Sequence, residues 1–192
     1  MVEWGAMTET RLQAPKAIIR PAELTDLDVC LKLDPSYSTE SVWQMELDVK
    51  DTQTVVSFRT VRLPRSMRTE YPHDRDQLIA GWKRCDGFLV ALEGERIVGY
   101  VALRAQPVES AAWVSDLVVE RRHRRLGVGT RLINAAGEWA RSRQLKWLVM
   151  EAQTKNHPII CFCQKQGFEF CGFNDRYYAN QDIAVFFARS VR

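Results

Sequence analysis

The chain of 192 residues is long enough for one domain with a sizeable hydrophobic core. Its composition, 46% hydrophobic and 27% charged, is typical of a globular protein and not of a disordered one. The net charge of +3 is too small for a dedicated nucleic-acid-binding protein, and no apolar run is long enough to cross a bilayer. Five cysteines, an odd number, and a start without a signal peptide predict a cytoplasmic protein with reduced thiols.

The first half of the chain has a weak and mixed pattern. Residues 1–15 lack periodicity and end at a proline, so we predict a flexible tail before a domain over 16–192. Thr25 or Asp26 is expected to cap the first helix. In chain order we predict a strand at 16–20, a helix at 21–34, a further helical turn within 36–49, a strand at 54–63, a proline-containing loop at 63–74 and a helix at 75–84.

The second half has a clearer pattern. Two strands within 87–104 are joined at Gly94, which is a hairpin signal. They are followed by a strand at 111–120, a helix from Gly127 to about Arg143, a strand at 146–153, a helix at 158–166 and strands at 168–173 and 182–189. The order predicts an α/β single domain whose central sheet is mixed, mostly antiparallel and flanked by helices.

Four arginines and a histidine fill positions 121–125, and Gly127 and Gly129 follow them. The first N–H groups of a helix lack internal partners and lie at the positive end of its dipole, so they favour an anion. Glycines leave room for a phosphate oxygen, and arginines add charge-assisted hydrogen bonds. The stretch therefore predicts a seat for a diphosphate; a nucleic-acid contact and a solvated surface are the alternatives.

The spacing of the glycines separates three kinds of phosphate loop. A P-loop needs a lysine after the last glycine, and a dinucleotide fingerprint needs a small residue at Leu132 and a tighter turn. Neither requirement is met. The third pattern, Arg-x-x-Gly-x-Gly followed by Thr, is met by Arg124, Gly127, Gly129 and Thr130. It resembles the acetyl-coenzyme A loop of the GNAT superfamily of N-acetyltransferases.

A second block strengthens this resemblance. The stretch "NHPIICFCQKQGF" is similar to a later motif of the same superfamily, matched at Asn156, Phe162, Lys165, Gly167 and Phe168. Within the superfamily, "GEWARSRQLKWLVMEAQTKN" and "YYAN" most resemble streptothricin acetyltransferases. The resemblance implies transfer of an acetyl group from acetyl-coenzyme A to a primary amine of a small molecule, such as an aminated antibiotic or a polyamine. A protein or peptide N-acetyltransferase and a non-catalytic acyl-coenzyme A sensor remain alternatives.

The resemblance also implies which residues hold the cosubstrate. The strand before the loop is expected to bend away from its neighbour, so that its backbone pairs with the pantetheine arm and one amide stabilises the oxyanion. Asn156 is expected either to bond the pantetheine or to cap the following helix. The implied cofactor-binding residues are Leu117, Val118, Val119, Arg124, Arg125, Leu126, Gly127, Val128, Gly129, Thr130, Asn156 and Lys165.

The catalytic groups are expected at the ends of two strands. An amine with a pKa of about 10 must lose a proton before it attacks. Asp116 and Glu151 are the carboxylates best placed near the reacting centre, and either could be the base, hold a water or anchor the cation. Cys163 stands where the superfamily usually carries a tyrosine acid, and Tyr177 or Tyr178 is the alternative donor. We expect the small-molecule partner, no metal, no nucleic acid and no membrane, and leave a homodimer open. Candidate acceptor-pocket residues are Tyr37, Trp43, Glu46, Asp48, Arg68 and Tyr71.

Overall fold

The computed structural model of the protein describes residues 17–69 and 75–191. The strands are β1 (Ile18–Pro21), β2 (Tyr37–Lys50), β3 (Gln53–Thr69), β4 (Gly87–Glu93), β5 (Arg96–Gln106), β6 (Ala111–Val119), β7 (Trp147–Gln153), β8 (Glu169–Asn174) and β9 (Ala184–Ser190). The helices are α1 (Leu27–Cys30), α2 (Arg75–Arg84), α3 (Val128–Ser142) and α4 (His157–Lys165). Within these described ranges, no helix is both long and apolar enough to span a membrane.

Seven strands form one sheet in the order β1, β4, β5, β6, β7, β9, β8. Neighbouring strands are antiparallel except β6 and β7, which are parallel because α3 crosses between them. Strands β2 and β3 form a separate two-stranded ribbon. The N–H of Trp43 donates to the carbonyl of Thr154 at 2.9 Å, which joins the ribbon to the end of β7. The predicted fold, a mixed and mostly antiparallel sheet with flanking helices, is confirmed.

The larger core lies between the sheet and helices α3 and α4. Leu132 and Ile133 of α3, Ile160 of α4 and Leu148 of β7 are fully buried there. Burial of each such side chain contributes about 1.5–3 kcal/mol, so this layer is the main source of stability. The buried residues of α3 lie on one face of the helix, which packs in this core.

The opposite face of the sheet carries a smaller core beneath α1 and α2. Phe88 of β4 stacks on Tyr100 of β5 with ring centroids 5.2 Å apart, and Trp82 of α2 packs on Phe88 at 4.2 Å. Cys30 of α1 is buried in the same cluster. The sheet is therefore covered on both faces, and the two faces hold different helices.

Three expectations for the first half are wrong. Residues 36–49 are not helical: residues 37–49 lie in β2, which pairs with β3 along its length. The helix expected over 21–34 is a 3-10 turn, Leu24–Asp26, followed by the four-residue α1, and Asp26 accepts the N–H of Glu23. The residues after 63 continue β3 instead of forming a loop; Pro64 is tolerated because residues 63–66 bulge out of the ladder. Expectations for 1–15 and 70–74 lie outside the described residues.

Candidate active site

The parallel strands β6 and β7 separate after four paired positions. Residues 111–114 of β6 pair with 147–150 of β7, although both strands continue beyond these pairs. A bulge at Ser115 in the ladder with β5 lies at the same point. The edge of β6 from 115 to 119 therefore faces away from β7 and offers backbone groups to an extended ligand. This is the bend that the resemblance implied.

A cavity of about 400 Å³ lies in the fork between the two strands. Its walls come from β6, the loop after it, β7, α4, the segment 35–37 and Tyr178. The predicted site residues in the wall are Asp116, Leu117, Val118, Val119, Arg124, Arg125, Gly127, Gly129, Thr130, Glu151, Asn156, Lys165 and Tyr178. The predicted residues that do not line it are Leu126, which is exposed, and Val128 and Cys163, which are buried in the core.

The loop between β6 and α3 has the geometry of an anion seat. Arg125 and Gly127 both adopt positive φ, 67° and 87°, and α3 begins at Val128. A Cβ on Gly127 would meet nothing within 4 Å, so glycine is favoured there by backbone conformation and not by lack of space. Alternating backbone conformations turn successive N–H groups toward one point, next to the unpaired N–H groups of the first helical turn.

His123 anchors the base of this loop. Its Nε2 lies 2.8 Å from Glu93 Oε2 and its Nδ1 lies 2.6 Å from Glu120 Oε2. Arg96 pairs with the other oxygen of Glu120. The imidazole is 13% exposed, so these contacts lie partly out of solvent. Part of the basic stretch thus serves to fix the loop on the β4–β5 hairpin.

Arg124 also makes contacts within the protein. Its Nε donates to the carbonyl of Val119 at 2.8 Å, Nη1 to the carbonyl of Ser36 at 2.7 Å and Nη2 to the carbonyl of Asp34 at 2.8 Å. Burial lowers the pKa of this guanidinium, and Asp34 acts against that shift. The resemblance implied that Arg124 binds the cofactor, and it did not predict these three hydrogen bonds to backbone carbonyls.

Helix α4 forms another wall of the cavity. Asn156 accepts the N–H of Ile159 through its side-chain oxygen at 3.2 Å and so caps the helix, as one of the two expectations stated. Pro158 fits the first turn because no intrahelical N–H is needed there. Lys165 lies in the last turn and lines the cavity.

Cys163 lies behind the cavity wall. Its side chain is fully buried, its Sγ is 3.9 Å from the sulfur of Met150, and burial raises the pKa of the thiol to about 12. The thiol does not line the cavity. Cys163, a candidate proton donor from the sequence, therefore packs into the core and not into the cavity wall.

Two tyrosines bind the carboxylate of Glu151. Tyr177 Oη donates to Glu151 Oε2 at 2.9 Å, and Tyr178 Oη donates to Oε1 at 3.2 Å. Tyr178 lines the cavity. Burial raises the pKa of Tyr178 well above its ordinary value, with Glu151 adding to the effect, and the same two causes raise the pKa of Tyr177 to about 12. Both phenols therefore stay protonated at neutral pH.

Asp116 and Glu151 lie on the same face of the sheet. Glu151 points away from Met150 and Ala152, which belong to the core beneath α3 and α4. Asp116 is 6% exposed and lies near Tyr100, in the core beneath α1 and α2, where burial raises the pKa of the phenol and Asp116 adds to the effect. Both carboxylates thus face the α1 and α2 side, whereas the anion seat leads into α3 on the other side.

A polar chain that the sequence did not reveal fixes the wall near Tyr178. Tyr37 Oη donates to Gln153 at 3.0 Å, Gln153 donates to Asp182 at 3.0 Å, and Lys155 pairs with Asp182 at 2.5 Å. The carbonyl of Asp182 accepts the N–H groups of both Tyr177 and Tyr178. Gln153 could have been found from the sequence, because it lies two residues after Glu151 on β7 and so points to the same face of the sheet. No residue next to Asp182 in the sequence indicates its role.

The residues expected to form the acceptor pocket are only partly brought together. Tyr37 lies in the cavity wall. Trp43 packs on Phe58 and Phe187, with ring centroids 5.7 and 5.8 Å away, and so belongs to the core. Glu46 and Asp48 form exposed ion pairs on the ribbon. Arg68 donates a hydrogen bond to Ser36. Tyr71 lies outside the described residues.

A forked pair of parallel strands, an anion seat at the following helix and ionisable side chains at the fork define an acyltransferase that uses a diphosphate-bearing acyl carrier. Residues 57–168 match the Acetyltransferase (GNAT) family, and the chain belongs to this family. The prediction of an acetyl-coenzyme A-dependent N-acetyltransferase is confirmed.

Individual proteins agree with this assignment. A streptothricin acetyltransferase of Streptomyces lavendulae is 25% identical over 167 residues, covering 83% of this chain and 85% of that protein. Streptothricin acetyltransferase A of Bacillus subtilis is 30% identical over 103 residues, covering 52% and 58% of the two chains. The crystal structure of a nourseothricin acetyltransferase superposes with a TM-score of 0.79 at 21% identity, covering 92% of this chain and 99% of that one.

A second solved structure contains the acyl carrier. This Bacillus anthracis protein, described as of the streptothricin acetyltransferase type, was crystallised in complex with acetyl coenzyme A. Its TM-score is 0.74 at 23% identity, and the match covers 91% of this chain and 99% of that chain. At these identities the two structures establish the common fold, which is the predicted one.

Proposed function

We propose that this protein transfers the acetyl group of acetyl-coenzyme A to a primary amine of a small cationic antibiotic of the streptothricin class. The observation that carries the proposal is the pair of carboxylates, Asp116 and Glu151, on the sheet face opposite to the anion seat. An ammonium group is attracted by carboxylates and by the faces of aromatic rings, and Tyr37 and Tyr178 lie in the same wall. The names of the curated relatives support the same acceptor class.

The carrier would enter from the α3 and α4 side. The N–H groups between Arg125 and Thr130 fit its diphosphate, and the backbone of residues 117–119 fits the pantetheine arm as an added strand. The amide of Asn156 and the ammonium of Lys165 line the path between them. This arrangement brings the thioester to the fork, where the two carboxylates lie.

Glu151 would bind the acceptor, and Asp116 would take its proton. Both oxygens of Glu151 accept hydrogen bonds from tyrosines, which fixes the orientation of the carboxylate that would hold the ammonium. Asp116 directly precedes the backbone proposed to hold the thioester, so it is the carboxylate next to the attacking nitrogen. The neutral amine then attacks the thioester carbon, and the oxygen becomes negative.

The remaining steps use a backbone donor and a phenol. A backbone N–H within residues 117–119 would stabilise the oxyanion. As the C–S bond breaks, the coenzyme A thiolate leaves and takes a proton from Tyr178, whose Oη lies beside Glu151. Two protons leave the nitrogen: the one that Asp116 takes before attack passes to solvent, and the one that the tetrahedral intermediate loses passes through the carboxylates to the phenol. The amide, the free thiol and one released proton are the products.

We also propose a cytoplasmic location, supported by the free thiols of the described chain: Cys30, Cys85, Cys161, Cys163 and Cys171. A reducing compartment keeps such thiols unpaired. Whether the chain forms a homodimer stays open, and light scattering after gel filtration is the measurement that decides it.

The acceptor is tested by mixing the full chain with acetyl-coenzyme A and following release of free thiol. Streptothricin, a polyamine and a lysine-containing peptide are supplied in parallel, with a reaction lacking acceptor as the control. We expect thiol release with streptothricin far above the control, and a product heavier by one acetyl group in mass spectrometry. Faster turnover of the peptide than of streptothricin would overturn the proposed small-molecule acceptor. Tight binding of acetyl-coenzyme A without turnover of any amine would identify a non-catalytic acyl-coenzyme A sensor.

A further inference from the structure

Arg124 connects two segments that are far apart in sequence. One of its acceptors is the carbonyl of Val119, the last residue of β6. The other two are the carbonyls of Asp34 and Ser36, at the entrance to β2. A single planar guanidinium thus spans the end of the strand proposed to hold the acyl carrier and a segment that leads to the acceptor side.

The segment 34–36 forms part of the cavity wall. Pro35 and Tyr37 both line the cavity, and Tyr37 continues into the polar chain with Gln153. On its solvent side the segment is held by Arg68, whose Nη2 lies 3.1 Å from Ser36 Oγ and 3.6 Å from Asp34 Oδ2. Those side chains are exposed, and exposed pairs contribute little to rigidity.

The contacts of Arg124 differ in kind from those of Arg68. Their donor–acceptor distances lie between 2.7 and 2.8 Å, and they go to backbone carbonyls, which cannot rotate away as side chains can. With Nε and both terminal nitrogens engaged, the guanidinium plane is fixed in orientation. The diphosphate seat does not need this side chain for its own geometry, because the seat is built from backbone N–H groups between 125 and 130.

We propose that Arg124 is a positioning residue that fastens the acceptor wall at 34–37 to the end of β6, instead of a direct ligand of the diphosphate. Through the wall it sets where the amine lies relative to the thioester. The part of this inference that concerns the acceptor rests on the proposed function. The part that concerns the wall stands on the contacts alone.

Lysine at this position separates the two roles. Arg124→Lys keeps the positive charge beside the loop, so a phosphate ligand would be largely preserved. A lysine ammonium cannot bond all three carbonyls in the plane that the guanidinium occupies, so the wall would loosen. Arg122→Lys, at an exposed position of the same basic stretch, is the matched control. Pro35→Gly, which loosens the wall and leaves every arginine in place, is the second variant.

Three measurements on the full chain decide the matter. Hydrogen exchange read by mass spectrometry reports the mobility of peptides covering 33–39, with β9 peptides as the internal reference. Calorimetry gives the dissociation constant of acetyl-coenzyme A. Steady-state kinetics with streptothricin gives KM and kcat for the acceptor.

For Arg124→Lys we expect faster exchange at 33–39, an acceptor KM raised at least about tenfold and a dissociation constant for acetyl-coenzyme A changed by less than about threefold. Pro35→Gly should give the same pattern, and Arg122→Lys should match the unsubstituted protein. Unchanged exchange together with weakened acetyl-coenzyme A binding would overturn the proposal and make Arg124 a phosphate ligand. If streptothricin is no acceptor at all, the proposed function fails, while the exchange and binding data still decide the role of Arg124.

Discussion

Tyr178 donates a hydrogen bond from its Oη to Glu151 Oε1 over 3.2 Å, at the fork of the two parallel strands. The phenol lines the cavity, and burial and the carboxylate together raise its pKa. An acid with a raised pKa holds its proton further into the alkaline range, so Tyr178 is available as a donor at every pH at which the enzyme is expected to work. Tyr177 binds the other oxygen of the same carboxylate and provides a matched comparison.

We therefore expect Tyr178→Phe to lower kcat about 100-fold, the lower end of the usual contribution of general acid catalysis. Tyr177→Phe removes an equivalent bond to Glu151 and should lower kcat by less than about tenfold. The measurement is kcat against pH for both variants. The pKa of Tyr178 is raised above its ordinary value of about 10. In the unsubstituted enzyme, kcat should therefore not fall through ionisation of this group below a pH of about 10. Equal losses in the two variants would argue against an acid role for Tyr178.

The two carboxylates should separate in their kinetics. Asp116→Asn removes the proposed base and should lower kcat by at least about 100-fold, with a smaller change in the acceptor KM. Glu151→Gln removes the proposed ammonium anchor and should raise the acceptor KM by about tenfold or more. Steady-state kinetics against pH provides both values. The opposite division, with the larger kcat effect at Glu151, would exchange the two roles.

Much of the acyl-carrier half of the site could be predicted from sequence, and much of the acceptor half could not. Gly127 and Asn156 carry local signals, since a turn with positive φ and a helix cap depend on neighbours in the chain. The positions of Tyr37 and Trp43 depend on how the β2–β3 ribbon docks on β7, which composition does not encode. As a result, Tyr37 lies in the cavity wall and Trp43 packs in the core. The burial of Cys163 was equally hidden, because helix spacing alone does not tell how far a short side chain reaches.

The β2–β3 ribbon differs from the helical turn that its sequence favours. Residues 41–50 mix polar and apolar residues in a way that fits a weak helix as well as a strand. Pairing with 53–62, set by the turn at 51–52, decides for the strand. Long-range pairing of this kind overrides local preference, and no single window of the sequence contains it.

Gly127 offers a test of the anion seat that does not involve an acceptor. Its φ of 87° is disfavoured for any residue with a Cβ, so Gly127→Ala should lower the free energy of unfolding by about 1–2 kcal/mol and weaken acetyl-coenzyme A binding. Gly81, inside α2, also has nothing within 4 Å of an added Cβ. There alanine should stabilise the protein by about 1 kcal/mol and leave binding unchanged. Denaturant unfolding and calorimetry measure the two quantities, and equal behaviour of the two variants would contradict the assigned loop geometry.

Cys163 should matter for stability and not for chemistry. Cys163→Ser places a hydroxyl among apolar side chains, at a cost of about 1–3 kcal/mol in the free energy of unfolding. The kcat should stay within about threefold of the original value, because the thiol lies behind the cavity wall. Cys163→Ala, which adds no polar group, is the control for the stability loss. Abolished turnover in a variant that remains folded would show that Cys163 takes part in the reaction.

The position of the acyl carrier is tested most directly by a crystal structure of the full chain with acetyl-coenzyme A bound. We expect the diphosphate oxygens within hydrogen-bond distance of the backbone N–H groups between Arg125 and Thr130. The thioester should then lie in the fork, between the backbone of residues 117–119 and the Tyr178 hydroxyl. A diphosphate held elsewhere, or a thioester remote from Asp116 and Glu151, would contradict the proposed binding mode of acetyl-coenzyme A.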